Sequence, residues 1–208
     1  MAAVKEHPMG ALAAFLPNGS FEKVVHYLHH YKVHLTVTKE RSSVLGDYRN
    51  AVRGKNHRIS VNSNLNKYAF LITLLHELAH LLTYEKHGHR VASHGKEWKS
   101  IYGSLLADFV GKNVFPPDIE HELKRSLTNP AASSCAEEHL MRVLRKYDGK
   151  KDGILLVEEL ALHALFATKD GRVFRKEEKL RKRYRCTEIK TGLIYLFSAI
   201  YEVIPLQQ

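Results

Sequence analysis

The chain has 208 residues, of which 44% are hydrophobic, enough to bury the core of one ordinary domain and of a smaller second one. With 32 Lys and Arg against 22 Asp and Glu, the formal charge is +10, which favours polyanionic partners such as nucleic acid, although a basic soluble surface has the same composition. Two cysteines exclude a disulfide framework, and no stretch is typical of a secretory signal or a membrane span, so we expect a cytoplasmic protein without membrane contact.

Residues 1–19 are interpreted as an N-terminal extension, and the next stretch predicts a helix followed by a small sheet. Apolar residues recur at helical spacing from Phe21 to Tyr31. His26 and His30 stand four residues apart on this helix, but no acid lies beside them, so we expect a solvated face here and not a metal site. Three segments with strand-like composition follow, at residues 33–38, 43–49 and 57–62.

A long helix is predicted over residues 67–86, with its start at residues 64–66 and Gly88 as its end, and it contains the motif His-Glu-x-x-His. His76 and His80 are one helical turn apart on the same face, so both imidazoles can bind one metal ion. Glu77 lies one position round from the first histidine, where its carboxylate can take a proton from a metal-bound water without being a ligand. A pair of hydrogen-bonded core histidines is the alternative to this metal site.

Apart from one stripe, the same helix is apolar nearly all round, as expected of an element that is buried on most sides. The stripe consists of residues at three- and four-residue steps, namely Thr73, His76, Glu77, His80, Thr83 and His87. Burying ionisable groups costs free energy unless they are paired or bind a metal. A concentrated polar stripe on a buried helix therefore indicates a bound ligand.

A catalytic zinc ion needs a third protein ligand and an open position for water, and four residues after the motif are candidates for that ligand. His87 lies two helical turns beyond His80, about 10 Å along the axis, which is too far for a bond of about 2 Å. His89 follows the predicted helix end and has little chain with which to return. His94 can reach back because a short loop precedes it. Glu97 is the rival, since another large class of zinc enzymes uses a glutamate from a second helix.

Two sequence blocks at this distance resemble the SprT-like family, whose relatives include the Spartan DNA-protein crosslink proteases. The blocks are H-E-L-A-H at residues 76–80 and S-H-G-K-E-W at residues 93–98, and the resemblance covers roughly residues 21–109. It implies a zincin-like domain in which His76, His80 and His94 bind Zn²⁺. By the same likeness, Glu77 is the catalytic acid and base.

The predicted fold class is α+β. A zincin-like metallopeptidase domain with a small sheet and the motif helix occupies residues 20–115, a helical connector residues 116–150, and a small basic β module residues 151–208. Trp98 begins an apolar stripe after His94 and is expected to pack in the core. The connector predicts two short helices, at residues 118–127 and 136–147. The module predicts five short strands, at residues 154–157, 164–168, 172–174, 182–189 and 193–197.

The chain departs from the SprT-like pattern in its cysteines. Many SprT-like proteins carry a C-terminal zinc ribbon, but Cys135 and Cys186 each stand here without a second cysteine at ribbon spacing. A mixed site of these cysteines with His139 and His163 is the alternative. We expect the module to be held together by packing instead.

The positive charge is concentrated in the β module. Residues 171–190 carry nine Lys or Arg against three acids, with Phe174 and Tyr184 among them. Such a strip can follow a phosphate backbone while aromatic rings stack on bases, although Lys and Arg also protect exposed strand edges. If the strip binds nucleic acid, the contact residues are Arg172, Arg175, Lys176, Lys179, Arg181, Lys182, Arg183 and Arg185.

The sequence as a whole predicts a zinc metalloendopeptidase that hydrolyses a protein or peptide substrate, with Glu77 as general base and acid. An edge strand would hold the substrate in extended form, although the sequence does not show which strand. Tyr48, Tyr84 and Arg49 are the candidates for stabilising the oxyanion. The alternative function is nucleic-acid binding with a structural or idle zinc site. Peptide hydrolysis and nucleic-acid binding are compatible if the substrates are DNA-associated proteins, as the resemblance to the Spartan-like relatives implies. The oligomeric state is not predicted.

Overall fold

The structure is a computed structural model that describes residues 9–41, 44–52, 54–127, 138–149 and 152–206. It divides into two compact units, with the boundary between Asp148 and Gly149. Helices and strands both occur, so the predicted α+β class is confirmed. Among the helices of the described ranges, none combines the length and the hydrophobicity that a membrane span requires.

The first unit contains a short 3₁₀ helix, five α-helices and a three-stranded sheet within its described ranges. In chain order the elements are the 3₁₀ helix Gly10–Phe15, α1 (Phe21–His30), β1 (His34–Thr38), β2 (Gly46–Arg49), β3 (Arg58–Asn62), α2 (Lys67–His87), α3 (Lys96–Ala107), α4 (Pro117–Ser126) and α5 (Glu138–Arg145). The helices and strands that the sequence predicts here are confirmed, with ends that shift by one to three residues. The ends predicted at residues 43 and 136 lie outside the described residues.

The sheet has the order β1-β3-β2, with β1 parallel and β2 antiparallel to the central strand. Ile59 and Val61 of β3 are buried on the face that packs against α2, while Ser60 between them faces the other way. Tyr48 of β2 pairs with Ile59 and therefore lies on the α2 side. This arrangement places β2 at an edge of the sheet, beside the motif helix.

The motif helix α2 is the centre of the first unit. Phe70 and all its leucines except Leu82 are almost completely buried, since the sheet and the other helices cover it on most sides. Asn66 begins the helix by accepting hydrogen bonds from the backbone N–H groups of Tyr68 and Ala69. Gly88 ends it with φ of 62°, a conformation that favours glycine.

The later helices complete the same core. Trp98 of α3 is fully buried, which confirms its prediction as a core residue. Residues within the predicted connector also take part, since Ile119 and Leu123 of α4 and Leu144 of α5 are buried in this core. Apolar side chains at helical spacing thus join α4 and α5 to the first unit.

The second unit is a six-stranded sheet in which neighbouring strands are all antiparallel, in the order β4-β9-β5-β6-β7-β8. Its core contains Phe166, Phe174, Cys186 and Val203. The strands are β4 (Leu155–Leu156), β5 (Leu165–Ala167), β6 (Val173–Leu180), β7 (Arg183–Glu188), β8 (Ile194–Ser198) and β9 (Glu202–Pro205).

Two predictions for this unit were wrong in extent. The strand predicted at residues 172–174 continues as β6 to Leu180. Glu177 and Glu178 break the alternation of polar and apolar residues that marks a strand, because the pairing with β7 shifts register between Lys176 and Lys179. The sequence did not predict β9, whose Pro205 argues against a strand interior but is tolerated at a strand end. The first predicted strand is shorter, because a 3₁₀ turn at Val157–Glu159 follows β4.

Replacing Asn66 tests the start of α2. Its side-chain nitrogen also donates to Leu144 O at 3.0 Å and to Asp148 Oδ1 at 2.7 Å, so one side chain caps α2 and holds the end of α5. We expect Asn66→Ala to lower the free energy of unfolding by about 2 kcal/mol, and Asn66→Ser, which keeps a capping oxygen, to cost about half as much.

Denaturant unfolding followed by tryptophan fluorescence measures this effect in the first unit alone, since Trp98 is the sole tryptophan. A midpoint for Asn66→Ala equal to that of the wild type would show that the cap does not contribute.

Candidate metal centre

Three histidine side chains meet at one point in the first unit. The Nε2 atoms of His76 and His80 are 3.2 Å apart, those of His76 and His94 3.3 Å, and those of His80 and His94 3.0 Å. Three such nitrogens cannot all satisfy one another by hydrogen bonding, because a ring nitrogen of a neutral imidazole either donates or accepts and cannot do both. Tetrahedral zinc ligands with bonds of about 2.0 to 2.1 Å have nitrogens about 3.3 Å apart, so the spacing fits a zinc ion.

Two elements and the loop between them bring these rings together. His76 and His80 are one turn apart on α2, and His94 lies in the loop that leads from Gly88 into α3. In the described part of the chain, these three residues form the one group of metal-binding side chains close enough to share an ion. Glu97, the rival third ligand, does not join the group and lies 3.9 Å from Lys96 Nζ instead.

The indole of Trp98 forms a wall of this centre. Its ring centroid lies 4.7 Å from that of His76, 5.4 Å from that of His80 and 4.7 Å from that of His94. Tyr102 continues the wall, 5.5 Å from His76. Sequence reasoning placed Trp98 in the core but missed its contact with the site. Part of the signal was present, because Trp98 and Tyr102 stand four residues apart on α3 and share one face.

The three imidazoles are held in their neutral form. Burial, and then the neighbouring histidines, lower the pKa of His76 to about 3. The same causes lower the pKa of His80 to about 4, and burial lowers the pKa of His94. A neutral imidazole has the free lone pair that metal coordination requires, so no proton competes with a metal ion at neutral pH.

Glu77 is buried beside this centre, with 5% of its surface exposed. Burial raises its pKa to about 8; the charge of Asp47 raises it and that of Arg41 lowers it. A carboxyl group that titrates near neutral pH suits a proton acceptor that must later act as a donor. Gly46 of β2 lies directly against it, because a Cβ atom there would come within 2.7 Å of Glu77 Oε1. The edge strand therefore approaches the carboxylate as closely as a backbone can.

Tyr48 and His57 form a second layer behind the histidines. The Tyr48 ring lies parallel to His80, with centroids 6.5 Å apart, and its hydroxyl donates to His57 Nδ1 at 3.0 Å. The backbone N–H of Ala51 also donates to this atom, so the proton of His57 lies on Nε2, 3.2 Å from Glu85 Oε1. The sequence placed His57 only in a strand, and no periodic pattern marked it as part of a site.

The three oxyanion candidates occupy different places. Tyr48 is nearest to the histidines, through its contact with His80. Tyr84 packs edge-on against His57, with centroids 6.2 Å apart. Arg49 pairs with Asp47 at 2.9 Å on the sheet face away from α2, so it is not part of the centre.

Several buried polar atoms around the histidines have no hydrogen-bond partner among the described residues. They are Thr73 Oγ1, His76 Nδ1 and Trp98 Nε1. An unsatisfied buried polar group costs about 1 to 3 kcal/mol, so ordered water is the expected partner of these atoms. A metal ion on the Nε2 atoms would not satisfy them, and it is the converging lone pairs of the three Nε2 atoms that fit a bound ligand.

The eight predicted nucleic-acid contacts of the second unit fall into three groups. Lys176 is 5% exposed and donates to Leu160 O at 2.6 Å, so it supports the interior and is not available to a phosphate. Arg172, Arg175 and Arg185 are paired with Glu188, Glu177 and Glu178 at 2.8, 2.9 and 3.2 Å. The other four are exposed near the turn between β6 and β7, and they are Lys179, Arg181, Lys182 and Arg183.

The aromatic residues of the basic strip and the residues of the alternative mixed metal site can also be located in the structure. Phe174 is 1% exposed and cannot stack on a base, whereas Tyr184 is partly exposed under the ammonium group of Lys179. Cys186 is buried in the core, and His163 lies against Glu177 at 3.2 Å. Cys135, the other cysteine of the mixed site considered above, lies outside the described residues.

Comparison with known proteins gives one match. Residues 20–121 match the model of the SprT-like family, and this range contains all three histidines and Glu77. Neither the curated proteins nor the solved structures contain a significant match to the chain.

The buried histidines predict a pH dependence of the metal-free protein. Below pH 6.5 the unfolded chain binds protons on these residues, while folded His76 and His80 stay neutral to about pH 3 and 4. As pH drops from 6.5 towards 4, each of these two histidines should therefore lower the free energy of unfolding by about 1.4 kcal/mol per pH unit. The raised pKa of Glu77 opposes one of these contributions down to about pH 4.5, so the expected net fall there is about 1.4 kcal/mol per pH unit.

Denaturant unfolding at several pH values, followed by Trp98 fluorescence, measures this slope. The double variant His76→Gln/His80→Gln should lose this fall, because the opposing contribution of Glu77 remains. Equal slopes would contradict the burial of neutral imidazoles.

Proposed function

Because residues 20–121 of this chain belong to the SprT-like family, we propose that it is a zinc-dependent metallopeptidase with a zincin-like catalytic domain. The observation that carries this proposal is the meeting of His76, His80 and His94 beside the buried carboxyl of Glu77. Three neutral imidazoles next to a proton acceptor match the parts that hydrolysis of a peptide bond requires.

The three Nε2 atoms would hold the zinc ion. When bound, zinc supplies Lewis-acid chemistry, which polarises a substrate carbonyl and makes a water molecule more acidic. Trp98 and Tyr102 fix the imidazole rings from behind, so the ligand geometry is set before an ion arrives.

Glu77 would move the proton. It accepts a proton from the attacking water and delivers it to the amine nitrogen of the departing peptide. A divalent cation close by favours the carboxylate form, so the raised pKa of the metal-free protein falls when the site is loaded. Because Glu77 is buried, the proton stays near the reacting atoms and is not exchanged with bulk water.

The free edge of β2 is suited to hold the substrate. Leu45 O accepts a hydrogen bond from Asn62 N at 2.9 Å, which begins the ladder between β2 and β3. Alternation along an antiparallel pair then directs the backbone N–H and C=O groups of Gly46 and Tyr48 to the free edge. An extended peptide that pairs there passes next to Glu77, since Gly46 touches this side chain.

A second function is favoured by the exposed cations at the turn between β6 and β7. Lys179, Arg181, Lys182 and Arg183 lie close together there without a carboxylate partner among the described residues, so they could contact a phosphate backbone. The peptidase would then act on DNA-associated proteins. If the zinc site is idle, nucleic-acid binding would be the function by itself.

Replacing Glu77 separates metal binding from catalysis. We expect zinc-loaded Glu77→Gln to retain one zinc ion per chain and to lose cleavage of an unfolded protein substrate by about 10²- to 10⁴-fold, because the amide cannot accept the proton. His94→Ala should lose both zinc and activity. Metal analysis and a cleavage assay measure the two properties, and Glu22→Gln on the exposed side of α1 is the matched control. Undiminished cleavage by Glu77→Gln would refute the assignment.

Removing charge from the turn between β6 and β7 tests the nucleic-acid function. We expect Arg181→Gln/Lys182→Gln/Arg183→Gln to weaken binding of duplex DNA and to lower the slope of log affinity against log salt by about 2 to 3. Lys112→Gln/Lys124→Gln/Arg125→Gln removes the same charge from the first unit as a control. Fluorescence anisotropy at two salt concentrations measures the effect, and no affinity of the wild type at low salt would exclude this function.

A further inference from the structure

A cavity of about 190 Å³ lies on the face of the first-unit sheet that points away from α2. Polar side chains surround it, among them Thr36, Arg41, Asp47, Arg49, Arg58 and Ser60. Three arginines against one aspartate leave two positive charges, since Arg49 is paired with Asp47 at 2.9 Å. None of the described carboxylates forms an ion pair with Arg41 or Arg58. The cavity thus presents uncompensated positive charge and two hydroxyl groups.

Arg41 is held in place by a buried asparagine. The side-chain oxygen of Asn62, which is 1% exposed, accepts from Arg41 Nε at 2.8 Å. Its nitrogen donates to Arg41 O at 3.2 Å and to Val44 O at 2.9 Å. The guanidinium also donates to Ser60 Oγ at 3.0 Å. Arg41 is therefore fixed before any ligand binds, which lowers the entropy lost on binding.

The cavity and the metal centre lie on opposite faces of β2. Gly46 and Tyr48 face Glu77 and His80, whereas Asp47 and Arg49 line the cavity. Side chains of an extended peptide paired with β2 alternate between these two faces. One neighbour of the peptide residue opposite Gly46 therefore lies beside Asp47, over the cavity.

We propose that this cavity binds an acidic side chain of the peptide substrate, one residue from the position that faces Glu77. A guanidinium group offers two parallel N–H donors that match a carboxylate, and the hydroxyls of Thr36 and Ser60 add donors at its sides. The proposal rests on the proposed peptidase function and adds a substrate class to it. A single cavity with an aspartate in its wall suits one carboxylate better than the row of phosphates in a nucleic acid.

The test uses the zinc-loaded full chain and pairs of quenched fluorescent peptides. The members of a pair differ only in Glu against Gln at one position, which is moved along the sequence. We expect kcat/KM to be about tenfold higher for Glu at one position next to the scissile bond, mainly through a lower KM, and the preference to shrink as salt rises.

Variants assign this preference to the cavity. Arg58→Gln removes an exposed guanidinium that makes no side-chain contact needed for folding among the described residues, and it should reduce the preference several-fold. Arg41→Gln/Arg58→Gln should abolish it. Arg125→Gln removes the same charge from α4, where Arg125 is 61% exposed, and should keep the full preference.

Binding of the same peptides to zinc-loaded Glu77→Gln separates this inference from the proposed function. If the Glu peptide binds more tightly than the Gln peptide, and Arg58→Gln abolishes this difference, the result supports the cavity. If the wild type cleaves no peptide but this binding difference is present, the peptidase proposal alone fails. Equal cleavage and equal binding of Glu and Gln peptides overturns the inference and leaves the peptidase in place. A loss of oligonucleotide affinity in Arg41→Gln/Arg58→Gln with unchanged peptide preference also overturns it, because the cavity then binds phosphate.

Discussion

Burial of ionisable side chains on one apolar helix is the constraint on which the first unit depends. His76, Glu77 and His80 lie among side chains of α2 that water does not reach. Desolvation keeps the imidazoles neutral and raises the pKa of the carboxyl group, and these are the states that a zinc ligand and a proton carrier need. A helix that is apolar on nearly all sides must be covered on nearly all sides. The sheet and the later helices therefore support the proposed chemistry by excluding water from α2.

The edge strand β2 joins this centre to the proposed substrate surface. Its four residues alternate between the buried face at Glu77 and the arginine cavity on the other face. Gly46 is the position where this geometry admits no side chain, because Glu77 occupies the space. One short strand thus presents backbone groups to an extended peptide, touches the proposed proton acceptor, and carries charged side chains that would read the neighbouring substrate residue.

Prediction from the sequence succeeded where a pattern is local and repeated. The motif helix, its Asn66 cap and its Gly88 end follow from periodicity and turn chemistry, and the spacing that favoured His94 rests on the reach of a loop. It failed where partners are distant in the chain. The contact of His57 with Glu85 depends on the packing of α2 against the sheet. The internal role of Lys176 and the pairing of Arg172 with Glu188 depend on tertiary packing and strand register, and no local pattern encodes them. The strand β9 was missed because it is short and contains Pro205, a residue that argues against a strand.

X-ray absorption spectroscopy of the zinc-loaded protein tests the central claim most directly, because it counts and identifies the atoms around the metal. The account predicts three imidazole nitrogens at about 2.0 to 2.1 Å and one further light atom, and the loss of one nitrogen or of the metal in His94→Ala. A spectrum with fewer than three imidazoles, unchanged in His94→Ala, would show that these residues do not bind the ion together and would contradict the proposed centre.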